Sequence, residues 1–281
     1  MPGTSVVTVT GPRLSPSRAA DFKTCPLLFR FRAVDQLTEA PSEAAVRGTV
    51  VHAALDGAFD LPPAGRTPDT VRALLAPALD RLVAGDGAIA ELIGGLDREA
   101  FLAGAGALVD TWFTLEDPAR LSPAARERYV ECRLDSGLTL RGIVDRLDEA
   151  PDGSVRVVDY KTGRAPGLLF EQKALFQVKF YATVLWRSTG VVPAEVMLVY
   201  LASGERLRHR VDPDALPRFE AQLPRLWEAV ERAARTGDFR PRPSRLCDWC
   251  DHRQLCPAFG NTPPPLPADA VERLLGVPTA P

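Results

Sequence analysis

The chain has 281 residues, 46% apolar and 25% charged, with a formal net charge of −2. That length suits one large domain, or one domain with a helical insertion, and the apolar share is ample for a buried core. A pI of about 6.0 excludes a uniformly basic nucleic-acid coat but leaves a local basic groove open. No stretch reaches the length of a membrane span, and residues 1–10 carry neither a basic n-region nor a long apolar run. The expectation is a cytoplasmic protein without membrane contact. Five cysteines, three of them clustered, favour a metal site in a reducing compartment over disulfides.

Residues 13–18 open a first helix, with Ser15 as N-cap and Pro16 in its first turn; Pro26 stops it near Cys25. Residues 27–32 then mix aromatics with Arg30 and Arg32. These arginines could contact phosphate or could simply snorkel at an amphipathic edge. A second helix is expected over 42–59, with His52 among small and apolar residues; by itself such a histidine is an ordinary core residue. Residues 62–117 have helical periodicity and no chemical cluster, so they read as a helical insertion over about 62–120. Strands follow at 126–134 and from 138 onward, the second running through Gly142-Ile143-Val144-Asp145-Arg146-Leu147-Asp148. A turn-rich link at 149–154 leads to a further strand, Val155 to Lys161, which makes these last two an antiparallel pair. A helix at about 169–187, strands at 195–201 and 205–211, and a long helix at 213–235 complete an α+β order. Residues 261–281 are Pro-rich with one short helix at 268–275 and read as a flexible tail.

On the strand ending at Lys161, Asp159 and Lys161 lie two apart and share a face, while Tyr160 points the other way. Asp145 interrupts the apolar run of the preceding strand. Carboxylates and an ammonium on largely buried strands cost free energy unless they are paired or coordinate something. Two carboxylates beside one lysine suggest a hard cation held by oxygens, with the lysine near an anion.

Near the end, Cys247, Cys250 and Cys256 form C-x2-C-x5-C, a spacing that points to metal. The fourth ligand stays open among Cys25, Cys132, His252 and an acid; closure by His252 or an acid would suit zinc.

GIVDRLD followed by VVDYKTG resembles the core of the PD-(D/E)XK nucleases, in their RecB-like branch. The resemblance extends from Ser15 to Pro257. It implies a restriction-endonuclease-like mixed sheet with flanking helices, in one domain over 13–260. It makes Asp145 the first acid and Asp159-Tyr160-Lys161 the D-x-K element. Gly48-Thr49-Val50-Val51-His52 matches that branch's G-x-x-x-H helix, which makes His52 a metal ligand and Gly48 a point of close packing. Gln177 and Tyr181 match its Q-x-x-x-Y pair, in a role orienting the DNA backbone or the lysine. Glu131 falls where the branch often carries another acid. Cys25, in a Ser-rich run ending Cys-Pro, matches the distant cysteine that AddB-type and CRISPR-associated adaptation nucleases join to a C-terminal C-x2-C-x5-C. Four thiolates then suit a 4Fe–4S cluster that ties the N- and C-terminal regions together.

The activity so implied is metal-assisted hydrolysis of DNA, single-stranded or at duplex ends. His52, Asp145, Asp159 and the Tyr160 carbonyl would hold Mg²⁺ or Mn²⁺, and Lys161 would orient the attacking water. Arg146, Arg30 and Arg32 are candidate phosphate contacts. No Walker motif occurs, so any helicase would be a separate subunit. A spacer-trimming nuclease working with a CRISPR integrase, a non-catalytic DNA-binding scaffold and a zinc-stabilised nucleic-acid-binding protein are the alternatives.

Overall fold

The computed structural model describes residues 11–165, 167 and 171–276. A two-residue strand β1 (Arg13–Leu14) precedes α1 (Pro16–Thr24), whose first turn is capped by the Ser15 hydroxyl accepting from the Arg18 N–H. Cys25 is extended, as the residue before proline must be, and α2 (Pro26–Phe29) restarts the helix and runs into a wide turn at Arg30–Val34. Ser42 caps α3 (Glu43–Ala58). Then come α4 (Pro68–Arg72), α5 (Leu75–Gly85), α6 (Gly87–Gly94) and α7 (Arg98–Leu115). Strands β2 (Ala125–Arg133), β3 (Thr139–Glu149) and β4 (Val155–Lys161) lead to α8 (Glu171–Thr189), β5 (Glu195–Tyr200) and β6 (Glu205–Arg210). The chain closes with α9 (Leu216–Glu220), α10 (Gln222–Thr236) and α11 (Ala268–Leu275). This is the expected α+β architecture, a mixed sheet with flanking helices.

Where one domain was expected over 13–260, the chain groups into two compact units. The larger comprises Ala40–Val130 and Ile143–Leu216. Here β4 lies between β3, to which it is antiparallel (Arg146↔Val158), and β5, to which it is parallel (Arg156↔Glu195 through Lys161↔Tyr200). A parallel pair needs a crossover, and α8 supplies it. One sheet face, Val158, Tyr160, Met197 and Val199, packs against Val51, Leu55, Leu79, Phe101 and Trp112 of α3, α5 and α7. The helical insertion is therefore the cover of this face. Each fully buried apolar side chain in it contributes about 1.5–3 kcal/mol. On the other face α8 packs against β5, and β5 is buried and apolar after Glu195 because both its faces are covered.

The smaller unit comprises Met1–Glu39, Glu131–Gly142 and Pro217–Pro281. In it β1 pairs in parallel with the start of β3 (Arg13↔Thr139, Leu14↔Leu140). α10 buries Leu223, Trp227, Val230 and Ala234, a stripe at helical spacing. The single helix expected over 213–235 is broken at Ala221: Pro224, three residues on, has no N–H to return to the preceding turn. Of the expected flexible tail, 261–281, residues 261–276 are described. α11 buries Ala270, Leu274 and Leu275, and the Pro264 carbonyl accepts from the buried Arg30, so residues 261–276 are part of this unit. The start expected for α8, at 169, lies outside the described residues.

Candidate active site

The site forms where β3 and β4 part, within the larger unit. Their ladder runs from Glu149↔Val155 to Arg146↔Val158 and stops. At the next position the Asp145 carboxylate takes the place of a backbone acceptor, receiving the Tyr160 N–H at 2.7 Å. Strand alternation puts Asp159 and Lys161 together, with the ammonium 2.5 Å from Asp159 Oδ2. Asp159 is 3% exposed, and its other oxygen accepts from Gln177 Nε2 at 3.1 Å. One helical turn on, Tyr181 is buried beside the same carboxylate, which with burial pushes its hydroxyl pKa up. Gln177 thus reaches Asp159, where the family pattern had it orienting DNA or the lysine.

α3 brings His52 to the site. Its Nδ1 lies 3.5 Å from Asp145 Oδ2, its ring meets Tyr160 edge-on, and it also touches the Tyr160 backbone. Gly48, one turn earlier, faces the residue after the lysine: a Cβ there would sit 3.2 Å from Thr162 Oγ1. β2 adds an acid that the sequence reading missed. Ligand atoms of His52, Glu127 and Asp145 all lie within 4.8 Å of one another. Glu131, the expected acid of this strand, belongs to the smaller unit. Glu127 takes its place, falling opposite Asp145 in the register set at the hairpin, where a bulge begins. Leu134 N–H donates to the Leu138 carbonyl near the hairpin, and Ala124 N–H to the Leu147 carbonyl at the far end. The two registers differ by one residue, and Glu127, with φ of 41°, lies between them. Nothing in the local sequence signals such a bulge.

The electrostatics fit a divalent cation. Burial and the neighbouring Asp159 push the Asp145 pKa up to about 8. Burial and the carboxylates of Asp56 and Asp159 raise Glu127. Burial lowers His52, which keeps its imidazole neutral and able to donate a lone pair. One imidazole and two carboxylates, each disfavoured in the charged form, are a donor set that a hard cation would relieve.

Arg146 is not a phosphate contact. Adjacent to Asp145 on β3, it points to the opposite face and is fully buried. There it pairs with Glu116 at 2.6 Å and Asp148 at 2.9 Å, and donates to the Tyr160 hydroxyl. Trp112 Nε1 also donates to Glu116. This network braces Tyr160, whose N–H holds Asp145. Arg30 is likewise buried, paired with Asp35, while Arg32 is engaged by Asp21 and Glu39. Arg30 is thus closed to a phosphate, while the Arg32 side chain stays 40% exposed.

In the smaller unit Cys25, Cys247, Cys250 and Cys256 line one cavity with Leu28, Phe31 and Phe259. All are free thiols. Burial, with the three other sulfurs close by, pushes the Cys250 pKa up. Backbone N–H groups of Arg242 and Ser244 donate to the sulfurs of Cys25 and Cys247 at 3.4 and 3.3 Å. His252 packs its ring on Phe31 and directs Nε2 to Glu39 at 2.8 Å. Cys132 is buried and is not among the residues of this cavity.

The sequence profile of the PD-(D/E)XK nuclease superfamily matches residues 13–257. The Gene 69 protein of Mycobacterium phage L5 is 28% identical over 126 residues, covering 44% of this chain and 41% of its own. That of Mycobacterium phage D29 is 29% identical over 138 residues, 48% of either chain. The chain thus spans less than half the length of these curated relatives. The solved structure of an exonuclease candidate from Eubacterium rectale superposes with a TM-score of 0.53 at 14% identity, over 90% of this chain and 93% of that one. This is a likeness of fold. Among the described residues no helix is long and apolar enough to cross a membrane.

Proposed function

The chain belongs to the PD-(D/E)XK nuclease superfamily, and from that premise we propose that it is a Mg²⁺- or Mn²⁺-dependent deoxyribonuclease, an exonuclease of DNA repair or recombination. One observation carries the reading: Asp145, Asp159 and Lys161 converge where β3 leaves β4, with His52 and Glu127 beside them. His52, Glu127 and Asp145 would hold the ion, with Asp159 and the Tyr160 carbonyl adjacent. The ion would supply Lewis-acid polarisation of the scissile phosphate and acidify a water. Lys161, anchored by Asp159, orients the attacking water and offsets charge developing on the phosphate oxygens. Gln177 fixes Asp159, and the Tyr160 N–H fixes Asp145. The four thiols of the smaller unit would hold a 4Fe–4S cluster, or Zn²⁺ in the alternative; their number and the N–H donors to sulfur support a metal-bound thiolate site.

The test is cleavage of end-labelled DNA by anaerobically purified protein in Mg²⁺, Mn²⁺ or EDTA. Cleavage should vanish in EDTA and fall at least about 100-fold in Asp159→Asn and Lys161→Ala, the scale of losing a positioned acid–base or electrostatic group. Cleavage that survives EDTA or both substitutions overturns the assignment.

A further inference from the structure

Two large apolar side chains are more than half exposed in the strands that carry the acidic cluster. Tyr129 is 55% and Ile143 52% exposed, and both sit in the middle of strands. Ile143 is two residues before Asp145 on β3, so the two share a face. Counted from the Leu134–Leu138 hydrogen bond, β2 and β3 place Tyr129 directly across from Ile143. The bulge at Glu127 comes only after that pair, and Glu127 falls opposite Asp145 and beside His52. A phenol ring and a branched aliphatic chain thus stand side by side, one strand step from the metal-ligating oxygens. Two residues of strand separate them from the acids, roughly 6.7 Å, which suits the reach from a backbone phosphate to its own base. On this face the pair is followed by the acids Glu127 and Asp145, so it is a local apolar exception.

We propose that Tyr129 and Ile143 form a stacking step that receives the nucleobase next to the scissile phosphate, and that the substrate is therefore single-stranded DNA or a frayed end. The inference rests on the nuclease reading and adds strand preference to it. A ring can stack only on a base that has left its own helix, and stacking on aromatics tolerates every base, so the step selects strandedness without selecting sequence. Tyr129 is here a positioning residue: it places the phosphate over the metal ligands by holding the base beside it.

The test is anisotropy of labelled single-stranded oligonucleotides on the full chain, in Ca²⁺ to support binding without cleavage. Each oligonucleotide carries one abasic residue at a scanned position. Wild type should bind about tenfold more weakly at one abasic position, the scale of one lost base–aromatic stack. Tyr129→Ala should lose about tenfold on the intact strand and become indifferent to that position. Tyr129→Phe, which keeps the ring, should behave as wild type, and Ile143→Ser should show a smaller loss at the same position. A flat abasic profile in wild type, an unchanged profile in Tyr129→Ala, or tighter binding of blunt duplex than of single strand overturns the proposal. Cleavage in Mg²⁺ with a flat profile sinks the stacking step alone. A Tyr129-dependent profile without cleavage in Mg²⁺ or Mn²⁺ sinks the nuclease reading and leaves the step standing.

Discussion

Asp145 carries the largest electrostatic conflict of the site: a mostly buried carboxyl beside another carboxylate, with a pKa of about 8. In the unfolded chain the same group titrates near 3.8. The folded state therefore binds a proton that the unfolded state has released, and the resulting stability is present below about pH 4 and is lost as pH rises through about 8. Thermal melts in EDTA should show wild type losing stability relative to Asp145→Asn over that interval, by the order of a few kcal/mol. Added Mn²⁺ should restore more at pH 8 than at pH 5, because it competes with the proton for the same oxygens. A wild-type-minus-variant difference that stays flat with pH would refute this account. At this scale Asp145, Asp159, Lys161 and His52 were legible because each stands in a motif whose spacing is local. Glu127 was not: its place opposite Asp145 follows from the β2–β3 register fixed at the Leu134–Leu138 turn, which alternation within one strand does not reveal. Arg146 was misread for a simpler reason. Beside Asp145 it must face the other way, and alternation alone consigns it to the side where Glu116 and Asp148 wait.

At the scale of elements, α3 approaches the segment after β4 closely at Gly48. Gly48 lies inside a helix, where alanine would gain about 1 kcal/mol of propensity. Its added Cβ, however, would stand 3.2 Å from Thr162 Oγ1, and Thr162 follows Lys161 directly. Gly48→Ala should thus leave stability within about 1 kcal/mol of wild type. Cleavage should nevertheless fall several-fold, because the displaced Thr162 drags Lys161 and α3 carries His52. Thr162→Ala removes the contacting atom, so the double variant should recover most of the lost kcat; additive losses in the two single variants would show that the contact does not transmit. The ends of α1 and α3 were readable because Ser15, Ser42 and Pro26 act on adjacent residues. The break between α9 and α10 was written there too, in Pro224, but a long amphipathic stripe masked it. β1 is two residues long and exists through its pairing with Thr139 and Leu140, more than a hundred positions away, so no local pattern could announce it.

At the scale of the molecule the chain leaves the smaller unit at Glu39 and returns for good at Pro217, and most of the sequence in between belongs to the larger unit. The ends of the smaller unit meet at the cysteines: Cys25 lies between α1 and α2, and Cys247, Cys250 and Cys256 lie in the short turns after α10. The proposed metal or cluster across these four sulfurs would close a loop of more than two hundred residues. By chain entropy such a closure is worth about 5 kcal/mol to the folded state, and the benefit grows only slowly with loop length. A metal held there would keep turns as short as Arg245–Trp249 and Arg253–Leu255 on a fixed path, although they bury no side chain of their own. The expected consequence separates this site from the remaining cysteine. Cys25→Ser should cost most of the bound iron and its visible absorption, and should make residues 239–260 the first point of proteolysis. Cys132→Ser, altering a buried thiol outside the cavity, should keep the metal content of wild type. If zinc replaces iron in anaerobic preparations, the same ranking of variants should hold in zinc content while the visible absorption is absent. Equal metal in wild type and Cys25→Ser would mean that the N-terminal thiol is no ligand and that the C-x2-C-x5-C closes its site from nearby residues alone.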